Sequence, residues 1–185
     1  MGGRCGGSDA AVRARLERTA LALCGLWLAL AVSPQSAAAP PPYALIGAAA
    51  PDFALHAARG GNVRLSEHRG EVVVLSFWSS RCSACRTQLT ALSRSLATYR
   101  SAGLKIYGVG VDDDPAKALS FAKSADVDFT LLLDPEKSVS RSYQVDNLPM
   151  TVLIDRNGTV RHVLRDYSTA SNGLYLQELR ALLNE

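Results

Sequence analysis

Two cysteines, Cys82 and Cys85, lie two residues apart in the segment SFWSSRCSACRTQL. A nearly continuous apolar run precedes them and leucines at helical spacing follow, so the pair is predicted at a strand-to-helix junction. The free N–H groups and the dipole of a helix N-terminus favour an anion such as a thiolate, and Arg81 and Arg86 favour the same charge. We therefore predict a redox-active dithiol, with Cys82 as the attacking nucleophile and Cys85 as the resolving thiol.

A cysteine pair can also hold a metal or remain as inert buried thiols. A structural zinc site needs about four ligands, and the histidines of the chain are isolated from one another and from the pair. Two thiolates alone can hold Cu(I), so a thioredoxin-like Cu(I)-binding carrier or assembly factor is the alternative function. Inert buried thiols are disfavoured because neighbouring thiols pair in an oxidising compartment. We expect no metal and no organic cofactor.

The first 38 residues have the pattern of a secretory signal peptide. Four arginines precede an apolar run at 19–32, and a small-residue stretch follows, with cleavage expected after Ala38. The run has 14 residues, fewer than the roughly 20 needed to span a bilayer. An uncleaved anchor is the alternative, and it would be the protein's only membrane contact. The sequence thus predicts an exported protein, in the periplasm or at the extracytoplasmic face of the membrane.

Loss of the leader leaves a nearly neutral chain without spare cysteines. Lys+Arg falls from 20 to 16 and Asp+Glu from 17 to 15, so the net charge falls from +3 to +1. No block of Lys and Arg is present, which argues against a nucleic-acid partner. Residues 39–50, APPPYALIGAAA, are predicted to be a Pro/Ala-rich spacer with little structure of its own.

From residue 51 to 185 the pattern predicts one α/β domain. Strands and helices alternate and a final hairpin and helix follow, which indicates a central mixed β-sheet with helices on both faces. The predicted elements are a hairpin around Gly60–Gly61, strands at 71–78, 104–111, 129–134 and 148–155, a hairpin partner at 159–165, and helices at 83–100, from Pro115, at 136–143 and at 174–183.

Three segments together resemble the TlpA/ResA type of thioredoxin-like thiol:disulfide oxidoreductases. They are FWSSRCSAC, NLPMTVLID and APDFALHAARGGNVRLSEHRGEVVVLSFW, and the resemblance covers about residues 50–185. It implies a thioredoxin-like fold with an added N-terminal β-hairpin. It also implies an exported enzyme that exchanges disulfides with extracytoplasmic proteins, apocytochrome c among the candidate substrates. We expect it to act as a reductase, and a membrane thiol-electron carrier would then re-reduce it.

The resemblance also implies roles for residues around the dithiol. Pro149 would be a cis-proline facing the disulfide, and the backbone of Leu148 would pair with an extended substrate segment. Trp78 would form an aromatic wall beside the disulfide and contact the substrate. Asp113 would occupy a buried position behind the cysteines and relay protons to and from Cys85.

The chain departs from the family pattern at three positions. Ala84, Gln88 and Thr90 stand where the family often has Pro, Glu and Pro. The residues between the cysteines tune the reduction potential, so the electron-flow direction stays open. A third hypothesis is a peroxide-reducing, antioxidant function. The sequence favours it less, because the peroxidatic pattern Pro-x-x-x-Thr-x-x-Cys is absent.

Overall fold

The computed structural model describes residues 43–185, so the predicted leader and the first residues of the predicted spacer lie outside it. Within that range the chain forms seven strands and four α-helices. They are β1 (Ala54–Ala57), β2 (Asn62–Arg64), β3 (Val72–Trp78), α1 (Ser83–Tyr99), β4 (Leu104–Gly110), α2 (Pro115–Ser124), β5 (Thr130–Leu133), α3 (Ser138–Ser142), β6 (Met150–Ile154), β7 (Val160–Leu164) and α4 (Thr169–Leu183). No helix among these residues is long and apolar enough to cross a bilayer.

All seven strands belong to one open, mixed sheet in the order β2-β1-β5-β4-β3-β6-β7. The β3–β4 and β4–β5 pairs are parallel, and the other pairs are antiparallel. Because parallel crossovers are right-handed, two steps in the same direction place α1 and α2 on one face. The chain then returns across the sheet to β6, with α3 on the other face. The predicted mixed sheet, the helices on both faces and the N-terminal hairpin β1–β2 are confirmed.

Strand β3 is an interior strand between β4 and β6 and is buried along its whole length. Val72 and Val74 belong to the core cluster under α1, α2 and α4. Val73, Leu75 and Phe77 belong to the cluster on the opposite face, as the alternation of a strand requires. The side chains of this apolar run thus belong to both hydrophobic cores. Strand β3 ends directly before the cysteine segment.

The prediction of an unstructured spacer over residues 39–50 is wrong for residues 43–50. Tyr43 and Ala50 are buried, the Tyr43 hydroxyl donates to the Tyr143 carbonyl, and the Gly47 N–H donates to the Val160 carbonyl at 2.8 Å. The small and apolar residues of this segment cover the face of the sheet that carries only α3. The packed domain therefore begins by Tyr43 and not at residue 51.

Two helices differ from their predicted bounds. Helix α4 begins at Thr169, five residues before the predicted start, because Ser168 and Ser171 form a reciprocal capping box in a polar first turn that apolar spacing does not detect. Helix α3 is shorter than predicted and covers Ser138–Ser142, and Lys137 precedes it with a left-handed backbone (φ 56°).

Strand β4 leaves space for the indole of Trp78. A Cβ atom added at Gly110 would lie 2.7 Å from Trp78 Cζ2, and one at Gly108 would lie 3.1 Å from Trp78 Nε1. The indole also stacks on Phe121 of α2, with ring centroids 4.6 Å apart. The two glycines are therefore required by close packing.

Replacing Gly110 with alanine should destabilise the protein by about 1–3 kcal/mol, because the new methyl group overpacks a core that has no room for it. Urea unfolding measures the change. Gly173→Ala is the matched control, since no atom lies within 4 Å of a Cβ there and the residue is exposed in α4. That variant should gain about 0.5–1 kcal/mol from helix propensity. Equal stabilities of the two variants would contradict the packing account.

Candidate active site

Cys82 and Cys85 form a disulfide at the start of α1, with their Cα atoms 5.3 Å apart. Cys82 is the N-cap residue, and its sulfur accepts a hydrogen bond from the Cys85 N–H at 3.1 Å. Cys82 is half-buried, whereas Cys85 is completely buried. In the reduced pair, the sulfur of Cys82 could thus reach a substrate disulfide, whereas that of Cys85 could not.

The charges around the disulfide come mainly from the two flanking arginines. The Arg86 guanidinium lies over the Phe121 ring, 4.5 Å from its centroid, and bonds Ser124 at the end of α2. Arg81 is exposed and forms no ion pair within residues 43–185. The Arg81 charge and the N-terminus of α1 therefore both favour a thiolate on Cys82.

The structure contradicts the burial predicted for Asp113. The Asp113 side chain is 69% exposed and pairs with Lys137. The hydrogen bond and the charge of Lys137 lower the pKa of Asp113, which makes it a poor proton acceptor at neutral pH. The buried acid of this loop is instead its neighbour Asp112, only 5% exposed, which bonds Ser79 and Ser80. A proton relay through a buried Asp113 is therefore not supported.

The structure also contradicts the placement of Trp78 as a substrate contact. Its side chain is fully buried between Phe121 and the glycines of β4, so no substrate could touch it. It shares one core cluster with Cys85, and Cys82 packs against that cluster. Trp78 therefore supports the dithiol from within the core and does not line a binding surface.

The loop before β6 carries the other two predicted site residues. The Leu148–Pro149 peptide bond is cis, Pro149 is buried and Leu148 is half-buried. The Leu148 N–H donates to Asn147 Oδ1 at 2.9 Å, and Asn147 Nδ2 donates to the Arg165 carbonyl at 3.3 Å. The backbone of Leu148 thus lies at the surface, with its N–H bonded by a neighbouring side chain.

An open groove of about 420 Å³ joins this loop to the cysteine segment. Val111, Val145 and Leu148 make part of its lining apolar. Arg81 brings a positive charge, whereas Lys137 pairs with Asp113 and Asp146 pairs with Arg165. Ser79 and Arg81 on its lining belong to the loop that leads into Cys82, so the groove reaches the segment before the disulfide.

A buried hydrogen-bond network fastens α1 to the sheet one turn after Cys85. Ser76 of β3 and Thr151 of β6 are cross-strand partners. The Ser76 hydroxyl donates to Gln88 Oε1 at 2.9 Å, and Gln88 Nε2 donates to Thr151 Oγ1 at 2.7 Å. All three side chains are buried. Gln88 therefore links the dithiol helix to the strand that follows Pro149, and this role was not predicted from the sequence.

The histidines of the domain are bonded elsewhere. His56 bonds Asn62, His68 bonds Glu71 and Tyr107, and His162 pairs with Glu178. Across residues 43–185, no three His, Cys, Asp or Glu side chains lie together as a metal-binding group.

Comparisons with known proteins show which family this chain belongs to. The AhpC/TSA family model matches residues 46–163. The thiol-disulfide oxidoreductase ResA of Geobacillus kaustophilus (strain HTA426) is 33% identical over 119 residues, 64% of this chain and 68% of ResA. The ResA protein of Bacillus subtilis (strain 168) is 32% identical over 125 residues, 68% of this chain and 70% of that protein.

A solved structure extends the likeness to three dimensions. A protein of Chlorobium tepidum, assigned as a thiol:disulfide interchange protein DsbE, superposes with a TM-score of 0.72 at 34% sequence identity. The alignment covers 75% of this chain and 97% of that protein. The thioredoxin-like fold expected from the sequence is confirmed.

Replacing Gln88 with leucine should destabilise the protein by about 1–3 kcal/mol, because the buried hydroxyls of Ser76 and Thr151 each lose a partner. Denaturant unfolding of the oxidised protein measures the loss. Gln177→Leu, at an exposed position of α4, is the control and should change stability by less than about 0.5 kcal/mol. If both variants unfold at the wild-type midpoint, the network does not fasten α1.

Proposed function

Since the chain belongs to the AhpC/TSA family and is a thiol:disulfide oxidoreductase of the ResA type, we propose that it is exported and reduces disulfides of extracytoplasmic proteins. The observation that carries the site assignment is the asymmetry of the two sulfurs. Cys82 is accessible at the N-cap of α1, whereas Cys85 is enclosed in the core one turn further on.

We assign the attack on substrate to Cys82. Its thiolate displaces one sulfur of a substrate disulfide and forms a mixed disulfide, and the released substrate thiolate takes up a proton. The Cys85 thiol then loses its proton and attacks Cys82, which frees the second substrate sulfur. The protein ends as the Cys82–Cys85 disulfide, and two electrons have passed to the substrate. The burial of Cys85 supports this order, because only an intramolecular attack can use it.

The groove beside Cys82 supports an extended polypeptide as substrate. Leu148 lies on its wall, and Pro149 directs the chain into β6 below it. In this proposal the Asn147 side chain releases the Leu148 N–H, which then bonds the substrate backbone as a neighbouring strand would. The apolar strip of Val111 and Val145 takes a substrate side chain.

Export rests on the N-terminal 38 residues, whose basic, apolar and small-residue regions follow the order of a signal peptide. A protein working in that compartment needs electrons from a membrane thiol carrier to regain its dithiol. Cysteines of apocytochrome c are one candidate substrate, which the ResA resemblance suggests.

Replacing Cys82 with serine should lower insulin-disulfide reduction by roughly a hundredfold or more, because no attacking thiolate remains. Cys85→Ser is the matched variant. It keeps the nucleophile and lacks the resolving thiol, so it should accumulate a mixed disulfide with substrate that dithiothreitol releases. Non-reducing electrophoresis and mass spectrometry measure both.

Two outcomes would contradict the assignment. If Cys82→Ser keeps wild-type turnover, Cys82 is not the nucleophile. If the reduced wild-type protein binds one Cu(I) tightly and reduces no disulfide, the Cu(I)-carrier alternative is correct.

A further inference from the structure

The mechanism above makes no use of Asp112, a buried acid that is hydrogen-bonded to the loop before Cys82. Its carboxylate accepts hydrogen bonds from Ser79 Oγ at 3.3 Å, Ser80 Oγ at 2.6 Å and the Ser80 N–H at 2.8 Å. The Asp112 side chain forms no ion pair within residues 43–185. All three donors belong to the short loop between β3 and α1, so this carboxylate bonds the segment that delivers Cys82.

Ser79, which is hydrogen-bonded to Asp112, also forms hydrogen bonds with the residues that lead into α1. Its carbonyl accepts the Cys82 N–H at 3.0 Å, and its hydroxyl accepts the Arg81 N–H at 3.2 Å. On the other side, the Val111 N–H donates to the Trp78 carbonyl at 2.9 Å, which fixes Asp112 to the end of β3. The position of Cys82 is therefore set through a chain of hydrogen bonds that begins at Asp112.

We propose that Asp112 is a positioning residue for the dithiol: it holds the Ser79–Arg81 loop that presents Cys82, and its negative charge disfavours a thiolate there. The proposal rests on the proposed function, since it concerns the same dithiol. The N-terminus of α1 and Arg81 stabilise the thiolate, and Asp112 opposes them. Because the thiolate belongs to the reduced pair, disfavouring it makes the pair a stronger reductant.

Three other charged side chains lie on the elements around Asp112. Asp113 and Lys137 form an exposed pair with no net charge, and Arg81 is exposed on the loop itself. A fourth group, Asp134, is 1% exposed and accepts hydrogen bonds from Ser138, Val139 and Ser140 at the start of α3. These groups are unchanged by a substitution at Asp112, so Asp112→Asn removes the charge of Asp112 and one of its two acceptor oxygens and leaves the other charges in place.

Asp112→Asn tests the proposal, because the amide keeps the shape and an acceptor oxygen while the charge is lost. In the reduced protein, the pH midpoint of Cys82 alkylation by iodoacetamide should fall by about 0.5–1 unit. The equilibrium with a glutathione buffer should shift about three- to tenfold toward the dithiol, which corresponds to about 14–30 mV. Asp126→Asn removes one exposed charge in the loop before β5 and is the control, with the wild-type midpoint expected.

Ser80→Ala is a second variant that keeps the charge and removes one donor. The carboxylate is then less neutralised, so the alkylation midpoint should equal or exceed that of the wild type. A folded Asp112→Asn protein with the wild-type midpoint overturns the proposal, and so does a lowered midpoint in Ser80→Ala. If Asp112→Asn does not fold, Ser80→Ala decides. Failure of the proposed function appears separately, as absent disulfide reduction by the wild type.

Discussion

Strand β3 is paired on both sides and buried on both faces, and this fixes where the chain can emerge beside the dithiol. The three-residue loop after Trp78 leads directly into the N-cap of α1. The neighbouring strands supply the surroundings: β4 ends two residues before Asp112, and β6 begins directly after Pro149. The half-buried sulfur of Cys82 therefore lies where three chain segments meet, and the sheet pairings determine which segments these are.

The chemistry of the pair depends on opposed charges at that meeting point. The helix N-terminus and Arg81 favour the thiolate, whereas Asp112 opposes it. One turn after Cys85, α1 carries the neutral amide of Gln88, hydrogen-bonded on both sides, and the buried indole of Trp78 belongs to the same core cluster as Cys85. Asp112 is therefore the buried carboxylate that can change the stability of the Cys82 thiolate. The exposed ion pair of Asp113 and Lys137 contributes little net charge.

Much of this architecture could be predicted because it has local signals: the apolar run of β3, helical spacing after Cys85, and Pro115 after Asp114. Residue type alone could not show which acid is buried, because residues 112–114 are all aspartates and differ only in the direction in which their side chains point. The signal was the alternation of β4, because Asp112 continues the parity of Gly108 and Gly110, which face Trp78. The same alternation places Trp78 inside with Val72 and Val74, so its burial was foreseeable. The Gln88 hydrogen bonds join α1 to β3 and β6. They could not be predicted, because helical spacing in the sequence does not show contacts between separate elements.

Measuring the reduction potential of the Cys82–Cys85 pair decides whether it is a redox-active dithiol that reduces disulfides. The protein is equilibrated in a series of thiol redox buffers, the free thiols are alkylated, and the peptide containing both cysteines is analysed by mass spectrometry. We expect both cysteines to change together in one two-electron transition, with a midpoint near the reducing end of the thioredoxin scale, about −270 mV. A pair that stays oxidised in every buffer would be a structural disulfide and would contradict the account. A midpoint near −120 mV would contradict the assignment as a reductase.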